Sequence, residues 1–365
     1  MSLTIFFDYN TNKLFNLFAA ASHFVRAIAA NRLDNLKQKT GIYRVGKRRA
    51  AVLISLIIPC YNEEGSLPIL YEALCDVRKS DTSDRNYEFI FVNDGSRDKT
   101  ADIIRDLAAN DKGVKYIFFS RNFGKEAAMY AGMEKAKGDY VAILDADMQD
   151  PPSLIPEMIK DLDSGEYDIV AARRVTRKGE PKIRSWFARR FYRLINRMCD
   201  VEIADGARDF RLMKREVVDS ILSLTERQRF SKGIFAWVGF RTKWVEHENV
   251  ERVAGETKWS FWKLFRYAVD GIVAFTTAPL RIATYMGFFF AFAGFAYMLY
   301  YFIRAIIGRF WMDANIMGYP SLLCFILFIG GLILIALGLI GEYIGRIYIE
   351  AKARPIYITS EESKD

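Results

Sequence analysis

The sequence predicts an α/β fold with a doubly wound parallel sheet, followed by two helices that cross a membrane. Three observations predict this arrangement. Short apolar runs alternate with segments of helical periodicity between residues 52 and 172. Acidic residues gather where several of these apolar runs end. Two long C-terminal segments contain no charged residue.

Five apolar runs have the length and composition of buried strands. They lie at residues 52–58, 87–92, 114–119, 140–144 and 168–172. Helical periods lie between them, at residues 66–77, 99–109, 125–136 and 153–162. Parallel strands need crossover connections and are buried on both faces. The alternation therefore predicts a parallel sheet with helices on both sides. After residue 172 the alternation becomes irregular.

The two uncharged segments are residues 282–303 and 314–341. A helix needs roughly 20 apolar residues to cross the hydrocarbon core of a bilayer, and each segment is long enough. Two buried helices of a soluble core are the alternative, but core helices rarely lack charge over such a length. The basic flanking residues are Lys263, Arg266 and Arg281 before the first segment, and Arg346, Lys352 and Arg354 after the second. The positive-inside rule then predicts a multi-pass protein of the inner (plasma) membrane, with its N-terminal part and tail in the cytoplasm.

The charge balance and the scarcity of histidine exclude some functions. The formal net charge is +8 over 365 residues, and no nucleic-acid-binding motif accompanies it, so anionic lipid is the expected partner. A histidine-rich zinc site is nearly excluded because the chain has only His23 and His247. Any metal ion is therefore expected to have oxygen ligands.

Amphipathic segments flank the regular part of the chain. Residues 183–198 and 259–274 are basic and aromatic, which is typical of helices at the lipid headgroup level. Ordinary packing against the α/β body is the alternative. The predicted parts are an N-terminal extension with an amphipathic helix at 1–50, an α/β domain at 51–250, an interfacial helix at 251–280, two membrane helices at 281–346 and a cytoplasmic tail at 347–365.

Two acidic segments follow the first two predicted strands. They are Tyr61-Asn62-Glu63-Glu64 and Asn93-Asp94-Gly95-Ser96. Carboxylates at the carboxyl ends of strands in an open α/β sheet are typical of a nucleotide site. The alternative for each segment alone is capping of the helix that follows.

The segment after the fourth predicted strand is more specific. Asp145 and Asp147 lie one residue apart at the end of an apolar strand, and Gln149-Asp150-Pro151-Pro152 follows. Two charges beside a core are costly unless a cation compensates them. A divalent ion held there would neutralise the two phosphates of a nucleotide sugar.

Six segments together carry a family resemblance. They are IPCYNEE, VNDGSRDKT, SRNFGKEAAMYAG, LDADMQDPP, DFRLMKR and VAGETKWS. The chain resembles the inverting glycosyltransferases of family 2, and more narrowly the polyprenyl-phosphate glycosyltransferases. The resemblance covers the chain from about Leu53 through both uncharged segments. It implies a Rossmann-like GT-A domain that binds a nucleotide sugar, uses Mg²⁺ or Mn²⁺, and transfers the sugar to a lipid phosphate at the cytoplasmic face.

The resemblance also implies roles for individual residues. The nucleotide-binding residues would be Pro59, Tyr61, Glu63, Asp94 and Asp145, and the metal ligands Asp145, Asp147 and Gln149. Asp209 and Asp147 would be the catalytic residues. A phosphate monoester is mostly dianionic at neutral pH, since its second pKa is about 6, so Asp209 is expected to orient the acceptor or stabilise the sugar cation rather than act as a base. A structural salt bridge from Asp209 to Arg208 or Arg211 is the alternative.

Both substrates carry phosphate and need nearby cations. The candidates are Lys125, Arg121, Arg173, Arg252 and Lys258. Arginine offers a planar fork to phosphate oxygens, whereas lysine is a point charge. Lys258 lies beside Trp259 at the predicted membrane edge and is the first choice for the lipid phosphate.

The predicted function is inverting transfer of one hexose to polyprenyl (undecaprenyl) phosphate. The overall pattern most resembles the bactoprenol glucosyltransferases, which favours UDP-glucose as the donor. GDP-mannose, UDP-N-acetylhexosamines and aminoarabinose donors remain open, as does a membrane-anchored regulator that binds a nucleotide sugar without catalysis. Two spans are too few for a processive synthase with an export channel, and they lack the polar groups of a transporter. Members of the resembled family with paired C-terminal helices often assemble as tetramers, so the resemblance implies a homo-oligomer.

Overall fold

The fold is known from a computed structural model, which describes residues 51–83, 85–174, 207–247, 273, 276–308 and 319–364. Its strands are β1 (Val52–Cys60), β2 (Arg85–Asn93), β3 (Val114–Phe119), β4 (Tyr140–Ile143), β5 (Ile169–Arg174), β6 (Ala207–Lys214), β7 (Thr242–His247) and β8 (Thr359–Glu362). Its helices are α1 (Leu67–Ser80), α2 (Thr100–Asn110), α3 (Lys125–Lys135), α4 (Ile155–Asp163), α5 (Arg215–Ser223), α6 (Ser231–Trp237), α7 (Ala278–Gly308) and α8 (Tyr319–Lys352).

The first four strands confirm the predicted parallel sheet. The described strands form one sheet in the order β7-β5-β6-β4-β1-β2-β3-β8, and β3, β2, β1 and β4 are parallel neighbours. Residues 89–92 at the centre of β2 are wholly buried, as expected for a strand covered on both faces. All five predicted strands and all four predicted helices are present, within a few residues at each end.

The five predicted strands run parallel to one another, but the sheet as a whole is mixed. Strand β6 runs antiparallel between β4 and β5, and β8 runs antiparallel along the edge of β3. An antiparallel strand needs no crossover helix, so the alternation of strands and helices contains no signal for it. Strand β8 has the sequence TSEE and lacks an apolar run altogether.

Helices cover both faces of the sheet, as the doubly wound prediction requires. One hydrophobic cluster packs side chains of α1, α2 and α4 against the sheet, including Leu70, Ile104 and Met158. A second cluster packs α3, α5 and α6 on the other face, including Ala128 and Val218. The sheet is therefore the buried middle layer. Because the helices cover its faces, a binding site is expected at the ends of the strands.

A charged cluster joins the strands on the β6 side. Asp168 accepts hydrogen bonds from Lys214 Nζ at 2.8 Å and from Arg241 Nε at 3.0 Å. These hydrogen bonds lower the pKa of Asp168 to about 2, with that from Arg241 contributing most.

We expect Asp168→Asn to reduce the free energy of unfolding at pH 7 by about 1–2 kcal/mol. Because the folded-state pKa is depressed, the stabilisation is present above the unfolded pKa of about 4 and is lost as pH falls through about 2. Urea unfolding at several pH values should show the difference from wild type shrinking below about pH 4. Asp76→Asn is the control, since the Asp76 side chain is 69% exposed. If the difference in free energy of unfolding between wild type and Asp168→Asn stayed constant down to pH 2, the link between stability and the Asp168 pKa would be contradicted.

Two described helices are long and apolar enough to cross a membrane. The candidate spans are Ala278–Tyr297 and Phe328–Lys352, and neither is buried within the protein. The helices contact each other through Phe290 and Phe328, whose ring centroids are 5.7 Å apart. This exposure is opposite to that of core helices and agrees with two membrane spans. The predicted amphipathic segments at 1–50, 183–198 and 259–274 lie largely or wholly outside the described residues, as do Arg252 and Lys258.

Candidate active site

The acidic segments come together at one edge of the sheet. Parallel strands β1, β2 and β4 end at this edge, and antiparallel β6 begins there. Ile143 pairs with Arg211, so the residues after β4 lie beside the first residues of β6. This register brings Asp145 and Asp209 to the same place although they are distant in sequence.

Lys125 lies between the two carboxylates. Its Nζ is 2.6 Å from Asp145 Oδ1 and 2.5 Å from Asp209 Oδ2. The Lys125 side chain is 41% exposed, whereas the carboxylates of Asp145 and Asp209 are largely covered. One ammonium faces two carboxylates, so these three side chains together carry a net negative charge.

Burial and charge act in opposite directions in this cluster. Burial alone would lower the pKa of Lys125, but Asp145 and Asp209 outweigh it and raise the pKa. Burial would raise the pKa of Asp209, but Lys125 and Lys232 outweigh it and hold that pKa well below its usual range. The pKa of Asp145 is raised, since burial together with the Asp209 charge exceeds the effect of Lys125. Asp209 is therefore a stable anion at neutral pH and a weak base.

The turn after β4 is held by side-chain contacts. Asp147 Oδ1 accepts the backbone N–H of Gln149 at 3.1 Å, and Met148 has a left-handed φ of 60°. Arg208 donates from Nη2 to Gln149 Oε1 at 3.1 Å and from Nε to Asp150 at 3.0 Å. Asp150 is fully buried. The turn is thus fixed from β6 before any ligand binds.

Further contacts hold Asp150 from the neighbouring strand. His247 Nε2 lies 3.1 Å from Asp150 Oδ1. Burial would raise the pKa of Asp150, but His247 and Arg208 lower it on balance.

The donor set of this turn fits a divalent ion such as Mg²⁺ or Mn²⁺. Asp145, Asp147 and Gln149 offer only oxygen, the ligand type that these ions prefer. In the part of the chain that the structure describes, no three His, Cys, Asp or Glu side chains gather into a group able to hold a metal. Two carboxylates without a third leave coordination positions for phosphate oxygens and water, as is usual for magnesium.

A cleft of about 390 Å³ lies beside the ends of β1, β2 and β3. Its lining includes Tyr61, Asn93 and Arg121. Gly95 has a φ of 65°, and a Cβ there would lie 2.5 Å from the carbonyl carbon of Arg121. Glycine is therefore required where the loop after β2 packs on the loop after β3. The predicted residues Tyr61 and Arg121 both lie on this cleft.

Two other predicted nucleotide ligands make contacts within the protein. Asp94 is buried, and its carboxylate accepts the backbone N–H of Phe123 at 2.6 Å and of Gly124 at 3.0 Å. Burial raises the pKa of Asp94 despite these hydrogen bonds. Glu63 Oε2 accepts from Ser66 Oγ at 2.6 Å. These contacts fix the loops around the cleft, and direct binding of a nucleotide by Asp94 or Glu63 stays a prediction.

The remaining predicted residues are less central in the structure. Pro59 lies within β1 opposite Val92, and Arg173 lies in β5 with its side chain half-buried. The alternative predicted for Asp209, a salt bridge to the described residues Arg208 or Arg211, is not observed. Arg208 pairs with Asp150, and Arg211 Nε contacts the backbone oxygen of Asp209.

Glu126 is a half-buried acid near the cluster that is not among the predicted site residues. Its Oε2 accepts from both the backbone N–H and the hydroxyl of Ser231. Burial raises the pKa of Glu126 to about 7. Glu126 lies in the first turn of α3, next to Lys125 and within the motif SRNFGKEAAMYAG, but nothing in that motif distinguishes Glu126 from its neighbours as functional.

Comparison with known proteins assigns the fold to a family. Residues 55–222 match the model of Glycosyl transferase family 2, and residues 278–347 match that of the GtrB C-terminal hairpin. The putative glycosyltransferase CsbB of Bacillus subtilis (strain 168) is 46% identical over 309 residues, covering 85% of this chain and 92% of that protein. The chain belongs to glycosyl transferase family 2.

Other relatives of this glycosyltransferase have more specific names. The bactoprenol glucosyl transferase of Shigella phage SfV is 43% identical over 311 residues, covering 85% of this chain and 99% of that protein. Among solved structures, the chain is similar to glucosyl-3-phosphoglycerate synthase of Mycobacterium tuberculosis, which was crystallised with Mn²⁺, UDP-glucose and phosphoglyceric acid. The similar region covers 63% of this chain and 83% of the synthase chain. Its sequence identity is 18% and its TM-score 0.41. The predicted membership of family 2 is thus confirmed by the sequence relatives.

Proposed function

We propose that this glycosyltransferase transfers glucose from UDP-glucose to polyprenyl (undecaprenyl) phosphate, with inversion, at the cytoplasmic face of the membrane. The observation that carries the proposal is the cluster of Asp145, Lys125 and Asp209 where β4 ends and β6 begins, in a chain with two exposed apolar helices. The name of the phage relative, bactoprenol glucosyl transferase, supports the lipid and the sugar.

The donor would bind along the edge of the sheet. Its nucleoside would occupy the cleft lined by Tyr61 and Arg121, and its diphosphate would lie at the turn after β4. Asp145, Asp147 and Gln149 would hold Mg²⁺ or Mn²⁺, which when bound neutralises charge on the departing diphosphate. The hydrogen bond from Arg208 Nε to Asp150 would keep this turn in one geometry, whereas Gln149 Oε1, which accepts from Arg208 Nη2, would turn from that donor to the metal ion.

The acceptor needs orientation more than activation. Its phosphate is mostly dianionic at neutral pH, since the second pKa of such a group is about 6. A phosphate oxygen forms a bond to the anomeric carbon while the bond to the diphosphate breaks on the opposite side, and UDP leaves with the bonding electrons. Asp209, held as an anion by Lys125, would orient the acceptor and stabilise positive charge on the sugar. Lys258 would bind the lipid phosphate.

The membrane part of the proposal concerns placement and assembly. The two spans would hold the catalytic body at the cytoplasmic surface, where the lipid phosphate is accessible. In α8, Gly330, Gly338 and Gly345 face open space, which would permit close helix contacts in a homotetramer.

A donor panel tests the proposed reaction. Purified protein with undecaprenyl phosphate should transfer glucose from UDP-glucose, and GDP-mannose and UDP-N-acetylglucosamine should give rates at least about tenfold lower. The lipid product, identified by mass spectrometry, should be a glucosyl phosphate of inverted configuration. Efficient use of another donor would change the sugar, and no transfer from any nucleotide sugar would refute the enzyme function in favour of a binding protein.

A further inference from the structure

The chain returns to the catalytic sheet after the second membrane helix. Strand β8 pairs antiparallel with β3, placing Glu361 opposite Phe118 and Glu362 opposite Ile117. The pairing continues at both ends, because Ser120 N donates to Ile358 O at 2.9 Å and Ser363 N to Tyr116 O at 3.0 Å. The predicted tail at 347–365 therefore includes part of the sheet.

Polar contacts rather than apolar burial hold this strand. Glu361 accepts from Arg105 Nη2 at 2.8 Å and from the Tyr116 hydroxyl at 3.1 Å. The hydrogen bond from Arg105 is the main reason that the pKa of Glu361 is lowered. Ser360 Oγ donates to Phe118 O at 3.1 Å. An edge strand of sequence TSEE would gain little from hydrophobic burial, so these contacts specify its position.

An aromatic contact anchors the segment that precedes the strand. The Tyr357 ring stacks on Phe119 with centroids 4.8 Å apart, and its hydroxyl donates to Glu134 at 2.8 Å. Further back, Arg227 donates from its backbone N–H to Glu350 at 2.8 Å and from Nε to Arg354 O at 2.8 Å. The whole path from the end of α8 to β8 is thus attached to the catalytic body.

The tail contributes to the cleft itself. Ser360 and Glu361 lie among the residues that line it, together with Tyr61, Arg105 and Arg121. Arg105, the partner of Glu361, is therefore also a lining residue. The salt bridge orients a guanidinium at the place where the nucleoside of the donor is proposed to bind.

We propose that β8 is a wall of the donor cleft and that Glu361 is a positioning residue for nucleoside diphosphate binding. This inference rests on the proposed function of the cleft. The carboxylate of Glu361 fixes both the edge strand and the Arg105 side chain, so its loss loosens the nucleoside end of the site. The groups at the turn after β4, where the sugar is transferred, are unaffected. The effect therefore falls on donor affinity and leaves the chemical step unchanged.

The test uses the full-length protein in detergent or nanodiscs, with UDP as the binding probe and UDP-glucose as the substrate. Glu361→Ala should raise the Kd for UDP and the KM for UDP-glucose about fivefold, with kcat and the acceptor KM within about twofold of wild type. Glu361→Gln retains an acceptor for Arg105 and Tyr116 and should restore most of the donor affinity. Glu362→Ala is the matched control, because that carboxylate lies on the same strand but 3.8 Å from Lys135.

A second variant covers the case in which Glu361→Ala does not fold. Ser360 is exposed on the cleft wall, so Ser360→Trp should occupy the cleft and weaken UDP binding, and it also removes the hydrogen bond from Ser360 Oγ to Phe118 O. Unchanged donor KM in Glu361→Ala and Ser360→Trp would overturn the inference, as would an equal loss in Glu362→Ala. If the wild-type protein binds neither UDP nor UDP-glucose, the proposed function is overturned as well. If the wild type binds both normally and the variants have the same Kd for UDP and KM for UDP-glucose, only the inference about β8 is overturned.

Discussion

Asp147→Ala is expected to reduce transfer at least about 1,000-fold at every magnesium or manganese concentration. Asp147 is one of two carboxylates on the turn after β4, and its Oδ1 also accepts the Gln149 N–H that shapes the turn. Removing it takes away a proposed metal ligand and a turn contact together. Excess metal cannot compensate, because the diphosphate would lack its fixed counter-charge. Initial rates with radiolabelled donor over a metal titration measure this effect.

Asp106→Ala is the control for this substitution. Asp106 is exposed on α2, and its replacement by alanine removes the same charge as Asp147→Ala does. The control should retain transfer within about twofold of wild type. Normal transfer by Asp147→Ala, or recovery at high metal concentration, would contradict the metal role assigned to Asp147.

Lys125→Met is expected to lower kcat about 100-fold or more. Lys125 is the only described cation that the structure places within hydrogen-bonding distance of both Asp145 and Asp209. Without it the two carboxylates lose the cation between them, and only the more distant charges of Lys232 and Arg211 still act on Asp209, so the pKa of Asp209 would rise towards its ordinary value. The orienting anion would then be misplaced and partly protonated as pH falls. The acid limb of the kcat profile should consequently move to higher pH.

The matched control is Lys112→Met, at the opposite edge of the sheet. Lys112 is exposed in the loop before β3 and should show kcat and a pH profile like those of wild type. A Lys125→Met variant with normal kcat but a raised KM for either substrate would instead assign Lys125 to phosphate binding alone.

Much of the fold follows from the sequence because parallel topology leaves few choices. Once residues 52–60, 85–93 and 140–143 are strands of one parallel sheet, their carboxyl ends share an edge. The acidic segments that follow them must then be neighbours. Tyr61 and Asp145 are placed near one site by this rule alone, without any knowledge of side-chain contacts.

The position of Asp209 could not be predicted in the same way. It depends on β6 entering the sheet antiparallel between β4 and β5, after a connection of irregular pattern. The motif DFRLMKR marks the segment as important but contains no information on strand direction. Lys125 was predicted to bind phosphate, whereas its contacts with Asp145 and Asp209 became visible only with that strand in place.

The contacts that stabilise the site are also long-range. Arg208 meets Asp150 across 58 residues of sequence, and Glu361 meets Arg105 across 256. Local patterns report burial and periodicity, and neither reveals which charged residues will pair at such separations. Strand β8 is the extreme case, because a four-residue polar segment has no strand signal until its partner β3 is known.

The most direct measurement is the position of manganese in crystals of the full-length protein grown with UDP-glucose. Anomalous scattering should place one ion at about 2.0–2.4 Å from carboxylate oxygens of Asp145 and Asp147, in contact with the donor diphosphate. The uridine should occupy the cleft beside Tyr61 and Ser360. A donor bound elsewhere, with no anomalous signal at the turn after β4, would contradict the assignment of this edge of the sheet as the catalytic centre.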